Sequence, residues 1–260
     1  MKHKILIFFL LVIFQACTKD NSINGNSGDN NNSINIIANK QATGSSSNDL
    51  LSDKKFKSMV VESVYVEGFE PTAASINNFK SFLEARTNKP KGITIEKRAI
   101  PSPGKTVYSI EDISTIEDAN RTYYNTDDQI AVWAFFTDGK SDKDIDNTMV
   151  LGTAYRNTSF VVFEETVQNS SNSPFEPNRS LLETTVITHE FGHILGLTNL
   201  GAPLQSAHED TEHPKHCNDQ NCLMYWAVES SAGIANLVNM SSAPQLDSQC
   251  IADLQANGGK

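Results

Sequence analysis

Two histidines and a glutamate stand in one five-residue stretch of the chain, His189-Glu190-Phe191-Gly192-His193. Histidines four positions apart lie on one face of a helix, one turn from each other, so both imidazoles can reach the same ion. Glu190 lies beside them and can take a proton from a water bound to that ion. Zinc lowers the pKa of such a water to about 7, which makes a hydroxide-like nucleophile available at neutral pH. The stretch predicts one catalytic Zn²⁺ with His189 and His193 as ligands and Glu190 as the general base.

A catalytic zinc site needs a third protein ligand, and the residues after this helix offer several. Gly196 stands three residues after His193, where a glycine lets the helix end and the chain turn sharply. Asn199, three residues further on, is a poor zinc ligand. The loop that follows is rich in better ones. The candidates from the residue types alone are His208, Asp210, His213 and His216.

The wider pattern resembles the metzincin metallopeptidases, whose helix motif continues as H-E-x-x-H-x-x-G. The block His216-Cys217-x4-Cys222-x-Met224 narrows the resemblance to the archaemetzincin branch. In that alignment an insertion of 17 residues precedes the terminal His-Cys pair. His216 then matches the third zinc ligand, and Met224 matches the methionine of the Met-turn beneath the metal. The segment is also similar to bacterial lipoproteins described as membrane metalloproteases.

This resemblance covers roughly residues 150–258 and implies a zinc-dependent endopeptidase that hydrolyses peptide bonds of a protein or peptide substrate. It further implies that the strand before the active-site helix pairs with an extended substrate. Asn199 leaves a non-catalytic surface-binding lipoprotein on the same scaffold as an alternative. A metal-dependent amidase of the cell envelope is a third hypothesis.

The four cysteines have separate interpretations. Cys217 and Cys222 are close enough in sequence for a loop-closing disulfide in an oxidising compartment. The resemblance implies an alternative, because related cysteines of archaemetzincins are thiolate metal ligands. Cys250 lies in a predicted C-terminal helix, and we expect a buried free thiol there or a pairing with one of the other two.

The N-terminus has the pattern of a targeting signal. The apolar run Ile5–Phe14 is too short to cross a bilayer but has the length of a signal-peptide core. Ala16-Cys17 after it resembles the lipobox of bacterial lipoproteins, which implies a signal peptide over 1–16 and a lipid on Cys17. This predicts a chain anchored in the bacterial envelope, in an outer membrane, with the domain on the periplasmic or the exposed face.

Residues 20–49 contain nine Asn, six Ser and three Gly, a composition that cannot bury enough apolar surface to offset the entropy of ordering. We therefore expect residues 17–54 to be a disordered tether and residues 55–260 to be one folded domain. The chain has 21 basic and 31 acidic residues and a net charge of −10. This charge argues against nucleic acid as the partner, since phosphate binding requires clustered cations. We expect a monomer.

The elements that position these residues follow from hydrophobic periodicity. Strands alternate with helices in the first half, which predicts a twisted sheet covered by helices. Ser180 and Glu183 have the spacing of a capping box, which predicts the start of the active-site helix. The fold class predicted is α+β with an α/β-like first half: a metzincin-like twisted mixed sheet, an active-site helix, a Met-turn and a C-terminal helix. The predicted strands are 57–66, 92–100, 130–136, 150–155 and 159–166, and the predicted helices are 71–86, 109–124, 180–197 and 246–254.

Overall fold

Seven strands and seven α-helices are present in the computed structural model, which describes residues 35–145 and 148–260. The strands are β1 (Ser58–Val66), β2 (Ile93–Ile100), β3 (Val107–Tyr108), β4 (Gln129–Phe136), β5 (Lys140–Ser141), β6 (Gly152–Arg156) and β7 (Ser159–Val162). The helices are α1 (Ser47–Leu51), α2 (Ala73–Arg86), α3 (Ile110–Asn120), α4 (Glu164–Asn169), α5 (Arg179–Ile194), α6 (Ile234–Leu237) and α7 (Ser248–Ala256). None of the described helices is long and apolar enough to cross a membrane.

The main sheet has the strand order β2-β1-β4-β7-β6. Its first four strands are parallel, and β6 runs antiparallel to β7 at the edge. β1 and β4 are buried along almost their whole length, as parallel strands covered on both faces are. β3 and β5 form a separate parallel pair. The predicted fold class, a mixed sheet with packed helices, is confirmed.

Hydrophobic periodicity placed the elements of the first half within a few residues, but two predictions near the active-site helix are wrong. The strand predicted over 159–166 ends at Val162, and the chain turns directly into α4. The predicted capping box does not form either. Asn178 caps α5 by accepting the N–H of Ser180, while Glu183 is buried and ion-paired with Arg179 at 2.7 Å.

The folded unit begins earlier than residue 55, so the predicted tether boundary is wrong on its C-terminal side. A short 3-10 turn (Ile37–Asn39) and α1 belong to the fold. Leu50 and Leu51 are fully buried in the main core. The Asn39 amide is buried and donates to Asn125 Oδ1, the Ala131 carbonyl and Thr158 Oγ1, each at 3.0 Å. These long-range contacts stabilise a segment whose composition alone predicts disorder.

We predict that a chain starting at residue 55 fails to fold, whereas a chain starting at residue 35 unfolds cooperatively like the full chain. The shorter chain exposes the core that Leu50 and Leu51 cover, and removing such leucines costs about 2–5 kcal/mol each. Thermal unfolding followed by near-ultraviolet circular dichroism measures this. Equal melting temperatures for the two truncated chains would contradict a folded unit that includes α1.

Candidate metal centre

The helix that carries the motif histidines is enclosed by protein. Every residue of α5 from Leu181 to Ile194 is buried. Apolar side chains such as Val186 and Phe191 pack into the main core. Phe191 meets the α2 ring Phe79 edge to face, with ring centroids 5.2 Å apart. His189 and His193 therefore project from a rigid, solvent-shielded helix, which suits a site whose geometry must be held closely.

Just after α5 the chain reverses direction at a glycine. Gly196 has a φ of +82°, and a Cβ there would lie 2.6 Å from the N of Ala202. Thr198, two residues on, donates its hydroxyl to the Lys215 carbonyl and so ties the far end of the inserted loop to the helix end. Lys215 immediately precedes His216. This tie brings His216 back to α5 across the insertion.

Three imidazole rings lie next to one another in the structure. The rings of His189 and His193 have centroids 4.8 Å apart, and the His216 ring lies 5.5 Å and 5.0 Å from them. The Nε2 atoms of His189 and His193 are 3.1 Å apart. His216, assigned by its motif position, is thus the histidine that the structure places with the helix pair.

The other third-ligand candidates lie elsewhere. His208 is buried against Asp253, with Nε2 2.8 Å from its carboxylate. His213 Nδ1 lies 2.9 Å from the Asp210 carboxylate oxygen Oδ2. The His213 ring stacks on the Trp226 ring, with ring centroids 4.2 Å apart. Asn199, which stands at the usual third-ligand position of the motif, is exposed and donates to Glu209. None of these side chains belongs to the trio of histidines.

The trio fits a cation. His189 Nδ1 is 2.7 Å from the Leu223 carbonyl, so Nδ1 carries the hydrogen and Nε2 presents a lone pair to the site. His216 Nε2 is buried without a hydrogen-bond partner among the described residues. Two nitrogens bound to a tetrahedral zinc at about 2.0–2.1 Å would stand about 3.3–3.4 Å apart, close to the spacing of His189 and His193. A positive ion would satisfy lone pairs that otherwise face each other.

Glu190 is fully buried beside the trio; no described side chain pairs with its carboxylate, and the backbone of Ala154 is its polar neighbour. Burial raises the pKa of Glu190 well above its usual value, and the nearby Glu229 carboxylate raises it further. A carboxyl group with a raised pKa is a better proton acceptor. Such a group matches the role predicted for Glu190.

Room for the Glu190 side chain is made by Gly152 at the start of the edge strand β6. A Cβ at Gly152 would lie 2.8 Å from Glu190 Oε1 and Cγ and 2.8 Å from Val186 Cγ1. Gly152 is therefore the point where the edge strand meets the active-site helix.

We predict that Gly152→Ala lowers kcat for peptide hydrolysis by about 10- to 100-fold, because the methyl group displaces the carboxylate and small misplacements of this size are costly. Zinc content should be unchanged, since the trio of histidines does not contact Gly152. The matched control is Gly139→Ala, which crowds Thr106 and Tyr108 far along the chain from this site. Steady-state kinetics on both variants measures the difference, and equal rates would contradict this role of Gly152.

Met224, for which the resemblance implies a Met-turn, packs against the active-site helix at Gly192. It is fully buried, and its sulfur occupies the space that a side chain at position 192 would need. Its carbonyl accepts the N–H of Cys217 at 2.7 Å, which joins it to the residue after His216. Met224 therefore supports the trio by packing.

Cys217, Cys222 and Cys250 are buried free thiols, so the disulfide considered for Cys217 and Cys222 is wrong and the free thiol expected at Cys250 is confirmed. They gather around His208: Cys217 Sγ is 3.6 Å from His208 Nδ1, and Cys250 Sγ is 4.0 Å from it. Cys222 Sγ lies 3.6 Å from Cys250 Sγ. Hydrogen bonds from the other two thiols lower the pKa of Cys222 to about 4. The ligand atoms that lie close enough together to hold one ion are those of His208, Cys217, Asp247 and Cys250, a mixed sulfur, nitrogen and oxygen set of types that zinc accepts.

Glu229 is the residue of the site that sequence reasoning missed. Its Oε2 lies 3.4 Å from His216 Nε2, 3.7 Å from His189 Nε2 and 3.8 Å from His193 Nε2. Burial alone would raise its pKa, but these histidines outweigh that effect and lower it. No spacing rule connects it with the H-E-x-x-H motif, so no signal in the sequence marked it.

A cavity of about 230 Å³ opens onto His193, His216 and Glu190. Edge-strand residues form one wall, and the loop after the helix forms the other. The lining residues are Thr43, Thr153, Ala154, Glu190, His193, Leu200, Lys215, His216 and Glu229.

Solved structures of other proteins share the fold of this chain. Archaemetzincin from Methanopyrus kandleri superposes with a TM-score of 0.50 at 18% identity, over 77% of this chain and 96% of that one. The chain shares the fold of archaemetzincin. A zinc-dependent peptidase from Methanocorpusculum labreanum gives a TM-score of 0.46 at 12% identity, over 75% of this chain and 99% of that one. No family model and no curated protein matches the sequence.

Within the archaemetzincin fold, the trio lies where α5, the end of the inserted loop and the segment after Met224 converge. The sequence resemblance to this branch was carried by the motif block from His189 to Met224. The shared fold extends the likeness to the first half of the chain, for which the residues alone offered only a compatible order of strands and helices.

Proposed function

We propose that the protein is a zinc-dependent endopeptidase. The observation that carries this proposal is the convergence of three histidine nitrogens beside a buried, unpaired carboxylate at the floor of a cavity. His189, His193 and His216 would hold the ion. Zinc, when bound in such a site, acidifies water and polarises a carbonyl oxygen. The fold shared with archaemetzincin, together with the metallopeptidase resemblance of the motif, supports this class of reaction.

Glu190 performs the proton transfers. Its carboxylate takes the proton of the attacking water and afterwards delivers it to the nitrogen of the leaving amine. Glu190 is fully buried, and no described basic side chain pairs with its carboxylate. The net reaction consumes one water and yields a new carboxyl and a new amino terminus.

The edge strand β6 would orient the peptide. One side of β6 pairs with β7, and no other main-sheet strand among the described residues lies on its second side. An extended peptide can add to such an edge by main-chain hydrogen bonds. Thr153 and Ala154 of β6 line the same cavity as Glu190, so a peptide held there would pass the trio.

The position of the protein in the cell is a further part of the proposal. Cys17 would carry the lipid, and the domain would act at the surface of a bacterial envelope membrane. Cys17 lies outside the described residues, and the support is the signal-like run and the lipobox-like Ala16-Cys17. Metabolic labelling with a fatty-acid analogue tests this: label should enter the full chain and be lost from Cys17→Ser.

Hydrolysis of an unstructured protein tests the function. The full chain loaded with zinc should release new amino termini from unfolded casein, a metal chelator should stop the release, and added zinc should restore it. Purified peptidoglycan in a parallel assay distinguishes an amidase of the envelope. Cleavage of peptidoglycan without cleavage of casein would contradict the endopeptidase, and zinc binding without either activity would favour a binding protein.

A further inference from the structure

One carboxylate faces all three histidines of the candidate metal centre. Glu229 Oε2 lies 3.4–3.8 Å from each Nε2. A pairwise ion pair would instead bring the oxygen to about 2.7–2.9 Å from a single nitrogen. Ligands at about 2.0–2.2 Å from a tetrahedral ion place oxygen and nitrogen about 3.3–3.5 Å apart. The four atoms are therefore spaced close to the corners of one coordination shell.

The main chain of Glu229 is fixed to the strand that would bind substrate. Its carbonyl accepts the N–H of Leu151 at 2.9 Å, and Leu151 directly precedes β6. The next residue, Ser230, forms a bridge with Val150. The Glu229 side chain is 35% exposed at the cavity mouth, in contrast to the buried histidines. The side chain is thus the less enclosed part of a residue whose main chain is anchored.

We propose that Glu229 is a fourth protein ligand of the metal in the resting protein and that its carboxylate leaves when a peptide pairs with β6. The inference rests on the metal site of the proposed function. Catalytic zinc sites keep one position free of protein ligands, whereas four protein ligands are typical of closed, structural sites. Glu229 would make this site closed until substrate arrives.

Residues that line the cavity suggest what would displace the Glu229 carboxylate and which cation would then bind it. Glu229 lies in the space bounded by Thr153 and Ala154, so a peptide held along β6 competes with its side chain for that space. Lys215 lines the same cavity and forms no ion pair with any described residue. Its ammonium group is a cation available to the displaced carboxylate.

Zinc affinity tests the ligand role without reference to hydrolysis. The full chain and Glu229→Gln are titrated with zinc in competition with a chromophoric chelator. The loss of one ligand should raise the dissociation constant for zinc at this site at least about tenfold. Glu212→Gln is the matched control, since Glu212 is exposed on the inserted loop and is in no ion pair of the described chain. The thiols around His208 contribute equally to all three proteins. Equal zinc affinity in the full chain and Glu229→Gln would overturn the proposal.

Cobalt absorption tests the departure of the carboxylate. In the Glu190→Ala background, where peptide is bound but not cleaved, Co²⁺ bands should shift on adding an extended peptide, and the shift should be absent when Glu229→Gln is added. Bands that respond to peptide equally with and without Glu229 would overturn the switch. If the chain hydrolyses no peptide bond while Glu229→Gln still weakens zinc binding, the proposed function fails and the ligand assignment stands.

Discussion

Replacing Glu190 by alanine should abolish turnover while leaving both the fold and the metal in place. Glu190 is the buried carboxylate beside the trio, and general acid–base groups contribute about 10²- to 10⁴-fold to a rate. We therefore expect kcat to fall at least about 100-fold. The metal should stay, because the histidine nitrogens and not Glu190 form the ligand set.

Removing a buried carboxyl group that forms no ion pair in the described chain should also stabilise the protein or leave its stability unchanged. The measurement combines casein hydrolysis, zinc content and thermal unfolding on the same sample. Glu212→Ala is a suitable control, since Glu212 is exposed on the inserted loop and is in no ion pair of the described chain. A Glu190→Ala variant that retains full turnover would rule out Glu190 as the proton-transfer group.

Replacing His216 by alanine should remove the catalytic zinc. Two histidines four residues apart make a weak site, and among the described residues His216 is the only other imidazole placed against them. Even an outer partner of a ligand is worth about 10- to 100-fold in metal affinity, so we expect a loss of at least about 100-fold for this variant. Activity should be lost together with the metal.

His213→Ala is the matched control for this prediction. His213 lies three residues before His216 but stacks on Trp226 and accompanies Asp210, so zinc and activity should persist without it. His208→Ala should likewise leave the trio intact and instead disturb the thiols of Cys217 and Cys250. Zinc lost from His213→Ala or His208→Ala but kept by His216→Ala would contradict the ligand assignment.

Local spacing explains why part of this site was predictable. His189, Glu190 and His193 belong to one helix, and the period of a helix determines which side chains share a face. The parallel strands β1 and β4 are predictable from local patterns too, since β1 shows alternation with β-branched residues and β4 a near-continuous apolar run. Such features depend on residues within a few positions of each other.

The rest of the site depends on contacts between distant segments. His216 reaches the trio through a loop whose end is tied by Thr198 to Lys215, a contact between residues 17 positions apart. Its motif position was predicted from family resemblance, while residue types alone left His208 and His213 equal to it. Glu229 follows His193 by 36 residues and is brought back by main-chain pairing with Leu151. No local pattern encodes that pairing.

Composition is a poor guide to the N-terminal segment for a related reason. Asn and Ser are abundant in residues 20–49 and favour disorder in an isolated segment. Asn39 and Ser47 are nevertheless buried, because the rest of the protein supplies hydrogen-bond partners for them. The cysteines show the same limit, since a spacing that permits a disulfide does not reveal His208 beside the thiols.

Anomalous scattering from crystals of the zinc-loaded full chain, recorded on both sides of the zinc absorption edge, tests the central claim most directly. We predict an edge-dependent peak within about 2.1 Å of the Nε2 atoms of His189, His193 and His216, with Glu190 beside it but not bound to it. A second peak among the thiols near His208 is compatible with this result. Zinc-loaded crystals with no edge-dependent peak between the three histidines would contradict it.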